Sequence, residues 1–157
     1  MMLSQTALDE IQTEIAKYPQ GWAQAAVMAA LRIAQDERGW VSDEVMKTIA
    51  KLLDIEPIKV AEVATFYTMY DLAPPGRHKI NVCTNISCAL RGSASIVGHL
   101  TDKLGVGLGE TTPDGRFTLK EVECLAACGG APAALINQDY CENLTPQRID
   151  EILETLE

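Results

Sequence analysis

An apolar run ends in one cysteine and leads to a second in the segment Lys79-Ile-Asn-Val-Cys83-Thr-Asn-Ile-Ser-Cys88. The same design recurs further along, in Glu121-Val-Glu-Cys124-Leu-Ala-Ala-Cys128-Gly-Gly. Each segment has the pattern of a short strand that delivers a cysteine to its end, followed by a tight loop and another cysteine. If the fold sets the two strand ends side by side, four thiolates converge. The sequence therefore predicts one metal centre held by both loops.

The chain is acidic, with a formal net charge of -9 over 157 residues. Nucleic acids require a basic footprint, which this composition lacks, so a nucleic-acid partner is excluded. An anionic membrane surface is disfavoured for the same reason. A hydrophobic content of 47% with 22% charged residues is typical of a globular protein of one domain or two small ones.

The amino terminus, Met1-Met-Leu-Ser-Gln-Thr, lacks the basic start and apolar core of a signal peptide. No run approaches the roughly 20 apolar residues of a membrane span. We therefore expect a cytoplasmic protein without direct membrane insertion, in which thiols stay reduced. Five cysteines then favour metal binding or catalysis over disulfides. Cys141 stands outside both pairs, and a small buried hydrophobe is its simpler interpretation.

Residues 1–76 predict an N-terminal helical bundle of four short helices. Thr6 and Asp9 resemble a capping box at the start of the first helix, and a second spans Trp22 to Arg38. Ser42 is the expected cap of the third helix, and Pro57 the first residue of the fourth. Acidic residues outnumber basic ones here, which argues against a DNA-reading helix-turn-helix and leaves docking on partner subunits as the hypothesis.

The stretch Asp71-Leu-Ala-Pro-Pro-Gly76 breaks the helical pattern, so we place a domain boundary there, with a second domain over residues 77–157. In that domain the patterns predict, in order, strand, helix, strand, strand, strand and helix, with a mixed sheet flanked by helices in an α+β fold. The predicted elements cover 79–83, 87–104, 117–122, 133–137 and 140–144, with Thr145 and Pro146 opening the last helix.

The cysteine spacing favours a [2Fe-2S] cluster. Four residues separate Cys83 from Cys88, three separate Cys124 from Cys128, and 35 separate the pairs. A rhomb of two irons needs four thiolates and is wider than one ion, which suits these longer loops. A four-cysteine zinc site is the sharper alternative, but it usually uses C-x-x-C, which is absent from the sequence. The absence of C-x-x-C also argues against a third hypothesis, a thiol-based redox protein.

Residues near the cysteines have weaker signals. Cys88 is expected near a helix N-terminus, which favours a thiolate. Gly129 and Gly130 either let backbone amides approach sulfur or form a plain turn before Pro132. His78 and His99 are isolated and carry no ligand prediction.

The chain resembles the small [2Fe-2S] subunit of the NADH-oxidising module of respiratory NADH:quinone oxidoreductase, complex I. The resemblance runs from near Trp22 to the end of the chain and rests on several ordered blocks. These are Arg38-Gly-Trp-Val41, Val63-Ala-Thr-Phe-Tyr67, Gly76-Arg-His78, Cys83-Thr-Asn-Ile-Ser-Cys88, Asp114-Gly-Arg-Phe-Thr118, Cys124-Leu-Ala-Ala-Cys128, Ala131-Pro132 and Asn143-Leu-Thr-Pro146.

The resemblance implies a thioredoxin-like [2Fe-2S] ferredoxin domain behind the helical extension, with Cys83, Cys88, Cys124 and Cys128 as cluster ligands. It implies no catalytic residue of the chain's own: NADH and FMN are bound by a partner flavoprotein subunit, with which the single cluster exchanges an electron. A larger iron-sulfur subunit is the other implied partner. The implied location is the peripheral arm of a membrane-bound complex, on the cytoplasmic side of the inner membrane in a bacterium.

Related subunits also occur in bidirectional hydrogenases and NAD-dependent formate dehydrogenases, so the parent complex stays open, and a zinc-stabilised binding module is a remote alternative. The chain departs from the family pattern at Ala126, where similar proteins usually have glycine, and at Gly129-Gly130, which they do not show. These departures lie in the second cysteine loop.

Overall fold

The structure is a computed structural model that describes residues 3–156. The chain divides into two compact units between Pro74 and Pro75. The described residues contain seven α-helices and four β-strands, and the two units have separate hydrophobic cores. Within the described part of the chain, no helix combines the length and the apolar character needed to cross a membrane.

The first unit contains four α-helices: α1 (Gln5–Ile15), α2 (Val27–Arg38), α3 (Asp43–Leu53) and α4 (Pro57–Phe66). Each helix buries one apolar stripe, as its periodicity predicts. The largest fully buried side chains of this core are Ile11, Leu31, Ile49, Leu53, Val41 and Val60. Ser42 caps α3 by accepting the Val45 N–H, and Pro57 occupies the first turn of α4, both as expected from the sequence.

The starts of two helices differ from the sequence-based expectation. The cap of α1 is Ser4, whose hydroxyl accepts the Ala7 N–H at 3.2 Å, and not Thr6, which lies inside the helix. Ser4 also hydrogen-bonds Glu37, 33 residues away, and a helical pattern alone does not reveal that contact. The second helix begins at Val27 and not at Trp22, because Ala23–Ala26 form a 3₁₀ turn first.

The second unit is built on a four-stranded mixed sheet with strand order β2-β1-β3-β4. The strands are β1 (His78–Cys83), β2 (Phe117–Val122), β3 (Ala134–Ile136) and β4 (Asp139–Cys141). β1 and β2 run parallel, while β1 pairs with β3 and β3 with β4 in antiparallel fashion. β3 and β4 are shorter than the patterns at 133–137 and 140–144 predict. The backbone is left-handed after each strand, with a φ of 55° at Asn137 and 50° at Asn143.

Three helices accompany this sheet: α5 (Ile86–Leu90), α6 (Ser93–Leu104) and α7 (Pro146–Thr155). The single helix predicted over 87–104 is wrong, because the helix breaks at Gly92. That residue has a φ of 94°, which lies in the region that glycine adopts without a side-chain clash. Thr145 caps α7 by accepting the Arg148 N–H, as predicted. The core joins sheet and helices through Ile80, Leu100, Leu119 and Ile149.

Candidate metal centre

The parallel pairing of β1 and β2 brings the two cysteine loops to the same edge of the sheet. In this register Cys83 lies opposite Val122, so both strands end at the same level. The chain that leaves β1 leads to Cys88, and the chain that leaves β2 leads to Cys124 and Cys128. Because parallel strands have their carboxyl ends on one edge, two loops that are far apart in sequence become neighbours.

A third segment closes the site from the β3 side. The Cys83 N–H donates to the Ala133 carbonyl at 3.0 Å, which extends the pairing of β1 and β3 towards the loops. Cys83, Cys88, Ala131 and Ala133 form a small buried cluster, against which Leu125 and Ala127 pack. Two of the predicted ligands are therefore enclosed by apolar groups, whereas Cys124 and Cys128 are exposed.

The four sulfurs are grouped two by two. The Sγ atoms of Cys124 and Cys128 lie 4.0 Å apart. Cys83 and Cys88 share a hydrogen bond between their side chains, and the charge of Cys128 also acts on Cys88. Within residues 3–156, no three or more His, Cys, Asp or Glu side chains are arranged to hold a single metal ion. A two-iron rhomb takes two thiolates for each iron, whereas a four-cysteine zinc site takes all four around one ion.

Backbone N–H groups are directed at the sulfurs. Burial opposes ionisation of Cys83, but hydrogen bonds from the Leu125 and Asn85 amides and from the Cys88 thiol outweigh it, so the pKa of Cys83 is lowered. The Ala126 N–H donates to Cys124 Sγ at 3.3 Å. Donors of this kind stabilise the thiolate form that a cluster requires, so the residues present fit the cofactor.

The pKa of Cys88 is shifted in the opposite direction to that of Cys83. Burial raises the pKa of the Cys88 thiol, and its hydrogen bond to Cys83 adds to the increase, although the Ala133 amide lowers it. The pKa of Cys83 and the pKa of Cys88 are thus shifted in opposite directions, and a negative charge is better accommodated on Cys83 than on Cys88. A cationic centre offsets the cost of the second charge, since a coordinated thiol is deprotonated.

The second cysteine loop has an unusual backbone at Ala126. Its φ of 59° lies in the left-handed region, where a Cβ atom crowds the following carbonyl. Glycine adopts this conformation without that cost. Ala126 therefore strains the loop that leads from Cys124 to Cys128.

Gly130 has a packing role in the same loop. It is buried within a 3₁₀ turn over Cys128–Gly130, and its N–H donates to the Ala127 carbonyl and not to sulfur. A Cβ atom at Gly130 would lie 2.7 Å from the Cβ of Glu142, whereas at Gly129 it would meet nothing within 4 Å. Gly130 thus allows the chain after β4 to cross the turn closely.

The remaining candidates lie in other contacts. Cys141 is in β4 and packs against the core of the second unit, and burial raises the pKa of its thiol. His99 Nε2 lies 2.7 Å from Asp150 Oδ1, between α6 and α7. His78 Nδ1 lies 3.1 Å from Asn137 Nδ2, and its ring packs near Phe117. Both histidines therefore have structural partners.

Sequence reasoning missed one polar contact at this edge. The Asn85 Nδ2 group donates to Glu123 Oε2 at 2.9 Å and joins the two loops. Both residues stand within two positions of a predicted ligand, and this adjacency was the available signal. Their pairing across 38 positions depends on the parallel strand register, which local patterns do not encode.

Comparisons with known proteins find similar chains in respiratory complexes. An E-type chain of the NADH-quinone oxidoreductase of Rhizobium meliloti is 44% identical over 150 residues, covering 96% of this chain and 88% of that protein. NADH-quinone oxidoreductase subunit 2 of Thermus thermophilus is 40% identical over 149 residues, covering 94% and 82%.

A eukaryotic relative and a solved structure extend the set. The mitochondrial NADH dehydrogenase [ubiquinone] flavoprotein 2 of Dictyostelium discoideum is 40% identical over 154 residues. The aligned region covers 98% of this chain and 62% of the Dictyostelium protein. The crystal structure of an air-oxidised NAD+-reducing [NiFe]-hydrogenase superposes with a TM-score of 0.72 at 26% identity, covering 83% of this chain and 22% of the other.

The model of one protein family, the thioredoxin-like [2Fe-2S] ferredoxins, matches residues 11–157. This match spans most of the chain and both cysteine pairs. It confirms the resemblance drawn from the sequence and identifies the cofactor as a [2Fe-2S] cluster. The chain belongs to the thioredoxin-like [2Fe-2S] ferredoxin family.

Proposed function

We propose that this chain is the electron-transfer subunit of an NADH:quinone oxidoreductase. The observation that carries the proposal is the match to the Rhizobium meliloti protein, which is 44% identical and spans 96% of this chain and 88% of that protein. A likeness over nearly the whole of both chains supports a common role better than a shared domain does. The relatives from Thermus and Dictyostelium have related names.

Cys83, Cys88, Cys124 and Cys128 are the proposed ligands of the cluster. When bound, a [2Fe-2S] cluster accepts and returns one electron. The chain's own contribution is to hold the four sulfurs at one sheet edge and to direct backbone N–H groups at them. NADH and FMN belong to a partner flavoprotein in this proposal, so the chain is a carrier within an enzyme.

Exposed apolar residues support docking next to the cluster edge. In α5, which contains Cys88, the side chains of Ile86 and Leu90 are 74% and 83% exposed. Large apolar groups beside a redox centre suit a protein partner that approaches closely and excludes water. We assign this surface to the flavoprotein.

The first unit is assigned to docking on partner subunits, among them a larger iron-sulfur subunit. Its exposed apolar side chains include Phe66, which is 77% exposed, and Ile58 and Met69. In this proposal the assembled protein belongs to the peripheral arm of a membrane-bound complex, on the cytoplasmic side.

A second candidate is the corresponding component of an NAD+-reducing hydrogenase. The observation that favours it is the superposition on that enzyme with a TM-score of 0.72. The identity there is 26%, lower than the values for the quinone oxidoreductase relatives.

Metal analysis, absorption and EPR spectra of the purified chain test the proposed site. We expect two irons per chain, a reddish-brown colour and a rhombic EPR signal after reduction. Serine in place of Cys83, Cys88, Cys124 or Cys128 impairs the cluster, while the matched control Cys141→Ser leaves it intact. A colourless protein with one zinc per chain, or equal cluster loss in Cys141→Ser, would contradict the assignment.

Co-purification from the native organism tests the parent complex. A tagged chain is expected to bring down a flavoprotein and a larger iron-sulfur subunit, with NADH-dependent quinone reduction. Recovery of a [NiFe] protein and H2-dependent NAD+ reduction would establish the second candidate instead.

A further inference from the structure

Asn85 bridges the two cysteine loops with its side-chain amide. Its Oδ1 atom accepts the Ile86 N–H at 2.9 Å and so caps α5, the helix that contains Cys88. Its Nδ2 group donates to Glu123 Oε2, also at 2.9 Å. Asn85 therefore orients the start of α5 and contacts the residue that directly precedes Cys124.

The bridge continues the strand pairing into the loops. Backbone pairing of β1 with β2 reaches Thr84, whose N–H donates to the Val122 carbonyl at 3.3 Å. Thr84 is followed by Asn85, and Val122 is followed by Glu123. The side-chain contact between Asn85 and Glu123 therefore extends the pairing of the two segments by one residue. Cys83 precedes this step on one segment and Cys124 follows it on the other, so the contact lies between the two cysteine loops.

The bridge also adds charge to the site. The Glu123 carboxylate directly precedes Cys124 in the chain and lies 2.9 Å from the side-chain amide of Asn85, two residues after Cys83. Adding an electron to a cluster increases negative charge, so a nearby carboxylate makes reduction less favourable. Glu123 is exposed, and water therefore screens part of this effect.

We propose that Asn85 and Glu123 form a positioning pair that holds the two cysteine loops at the spacing of the cluster, and that the Glu123 carboxylate lowers the cluster's reduction potential. The inference rests on the four-cysteine ligand set of the proposed function. It assigns two residues that are not ligands to a role in cluster retention and potential. Both residues act through the loops and do not ligate iron.

Three substitutions in the cluster-loaded protein separate geometry from charge. Glu123→Gln keeps an oxygen that accepts from Asn85 and removes only the charge. Glu123→Ala removes both the acceptor and the charge. Asn85→Asp keeps the cap on Ile86 but loses the donor to Glu123 and adds a second carboxylate. Glu151→Gln, an exposed residue of α7, is the control for loss of one negative charge elsewhere.

Two measurements are made on each variant: the rate of cluster loss to a chelator, followed by absorbance, and the midpoint potential, followed by EPR during redox titration. Glu123→Ala and Asn85→Asp are expected to lose the cluster about 10-fold faster, which is the usual order for residues that orient metal ligands. Glu123→Gln is expected to keep the wild-type loss rate and to shift the potential upward. Asn85→Asp is expected to shift the midpoint potential downward, since the substitution adds a negative charge.

Wild-type loss rates in both Glu123→Ala and Asn85→Asp would overturn the positioning role. A potential in Glu123→Gln that matches Glu151→Gln would overturn the role of the charge. Thermal unfolding of each variant shows whether the fold is retained. Glu123→Gln retains an oxygen that accepts the hydrogen bond from Asn85. A wild-type chain that binds no cluster would contradict the proposed function instead, so the two failures are distinguishable.

Discussion

Ala126 is strained because its position in the loop requires a left-handed backbone. The φ of 59° places the Cβ atom close to the following carbonyl, which costs about 1–2 kcal/mol for an L-residue. The neighbouring Ala127 has an ordinary φ of -95°. The two alanines therefore differ in backbone strain although they are adjacent and chemically identical.

We predict that Ala126→Gly stabilises the cysteine loop by about 1 kcal/mol, because glycine adopts this φ freely. Thermal unfolding and the rate of cluster loss to a chelator measure the gain. The matched control, Ala127→Gly, is expected to destabilise the protein by about 0.5–1 kcal/mol, since glycine adds freedom to the unfolded chain without relieving strain. Equal effects of the two substitutions would show that Ala126 is not strained.

Gly130 is predicted to tolerate no side chain, in contrast to Gly129. A methyl group at Gly130 lies within 2.7 Å of the Glu142 Cβ, which is not the flexible end of that side chain. Overpacking of this kind costs about 1–3 kcal/mol, so Gly130→Ala should unfold at lower temperature. Gly129→Ala meets nothing within 4 Å and serves as the control. A Gly130→Ala variant as stable as Gly129→Ala would refute the packing role.

At the scale of elements, the pairing of β1 with β2 accounts for the site. Both strands are expected from the alternation of apolar residues, and their bounds follow the sequence closely. Their parallel alignment brings the loops to one edge, and it requires the long crossover that contains α5 and α6. The sequence pattern misses the break between those helices, because apolar spacing continues across Gly92 while its φ of 94° ends the helix.

The packing of α6 against α7 includes a charged contact that depends on pH. Asp150 Oδ1 lies 2.6 Å from Lys103 Nζ and 2.7 Å from His99 Nε2. Hydrogen bonds from Lys103 and then from His99 lower the pKa of Asp150. A lowered folded-state pKa contributes stability that is fully present above the unfolded value, about 4, and is lost as pH falls through the folded value.

We therefore predict that Asp150→Asn weakens the contact between α6 and α7 at neutral pH and has little effect below the folded-state pKa of Asp150. Amide hydrogen exchange in α7 measures the difference between the variant and the wild type, so acid effects common to both cancel. Exposed Asp102, also in α6, provides the control Asp102→Asn. A difference that persists unchanged in acid would show that the contact is not electrostatic.

At the scale of the whole molecule, the two units have separate cores, and the four proposed ligands all lie in the second. A chain that starts at Pro75 retains the sheet, α5 to α7 and both cysteine pairs. The first unit supplies none of the proposed ligands and has exposed apolar side chains such as Phe66. This division supports separate roles in redox chemistry and docking.

Deletion of residues 1–74 is predicted to leave the cluster's absorption and EPR signal and to abolish co-purification with partner subunits. Phe66→Ser in the undeleted chain is the milder test, and it should weaken assembly without altering the spectrum, because it removes exposed apolar area and a ring contact with Tyr67 but no proposed ligand. Unchanged assembly of the truncated chain would refute the docking role of the first unit.

The sequence by itself indicated the proposed ligands: four cysteines at the ends of two strand patterns, with a spacing that favours two irons over zinc. It also indicated the caps at Ser42 and Thr145, because capping and alternation depend on neighbours in the chain. Only the tertiary structure decided that the strands run parallel, that Ala126 is left-handed and that Asn85 meets Glu123. The strand direction and the Asn85–Glu123 contact arise from pairing between residues far apart in sequence, which no local pattern encodes.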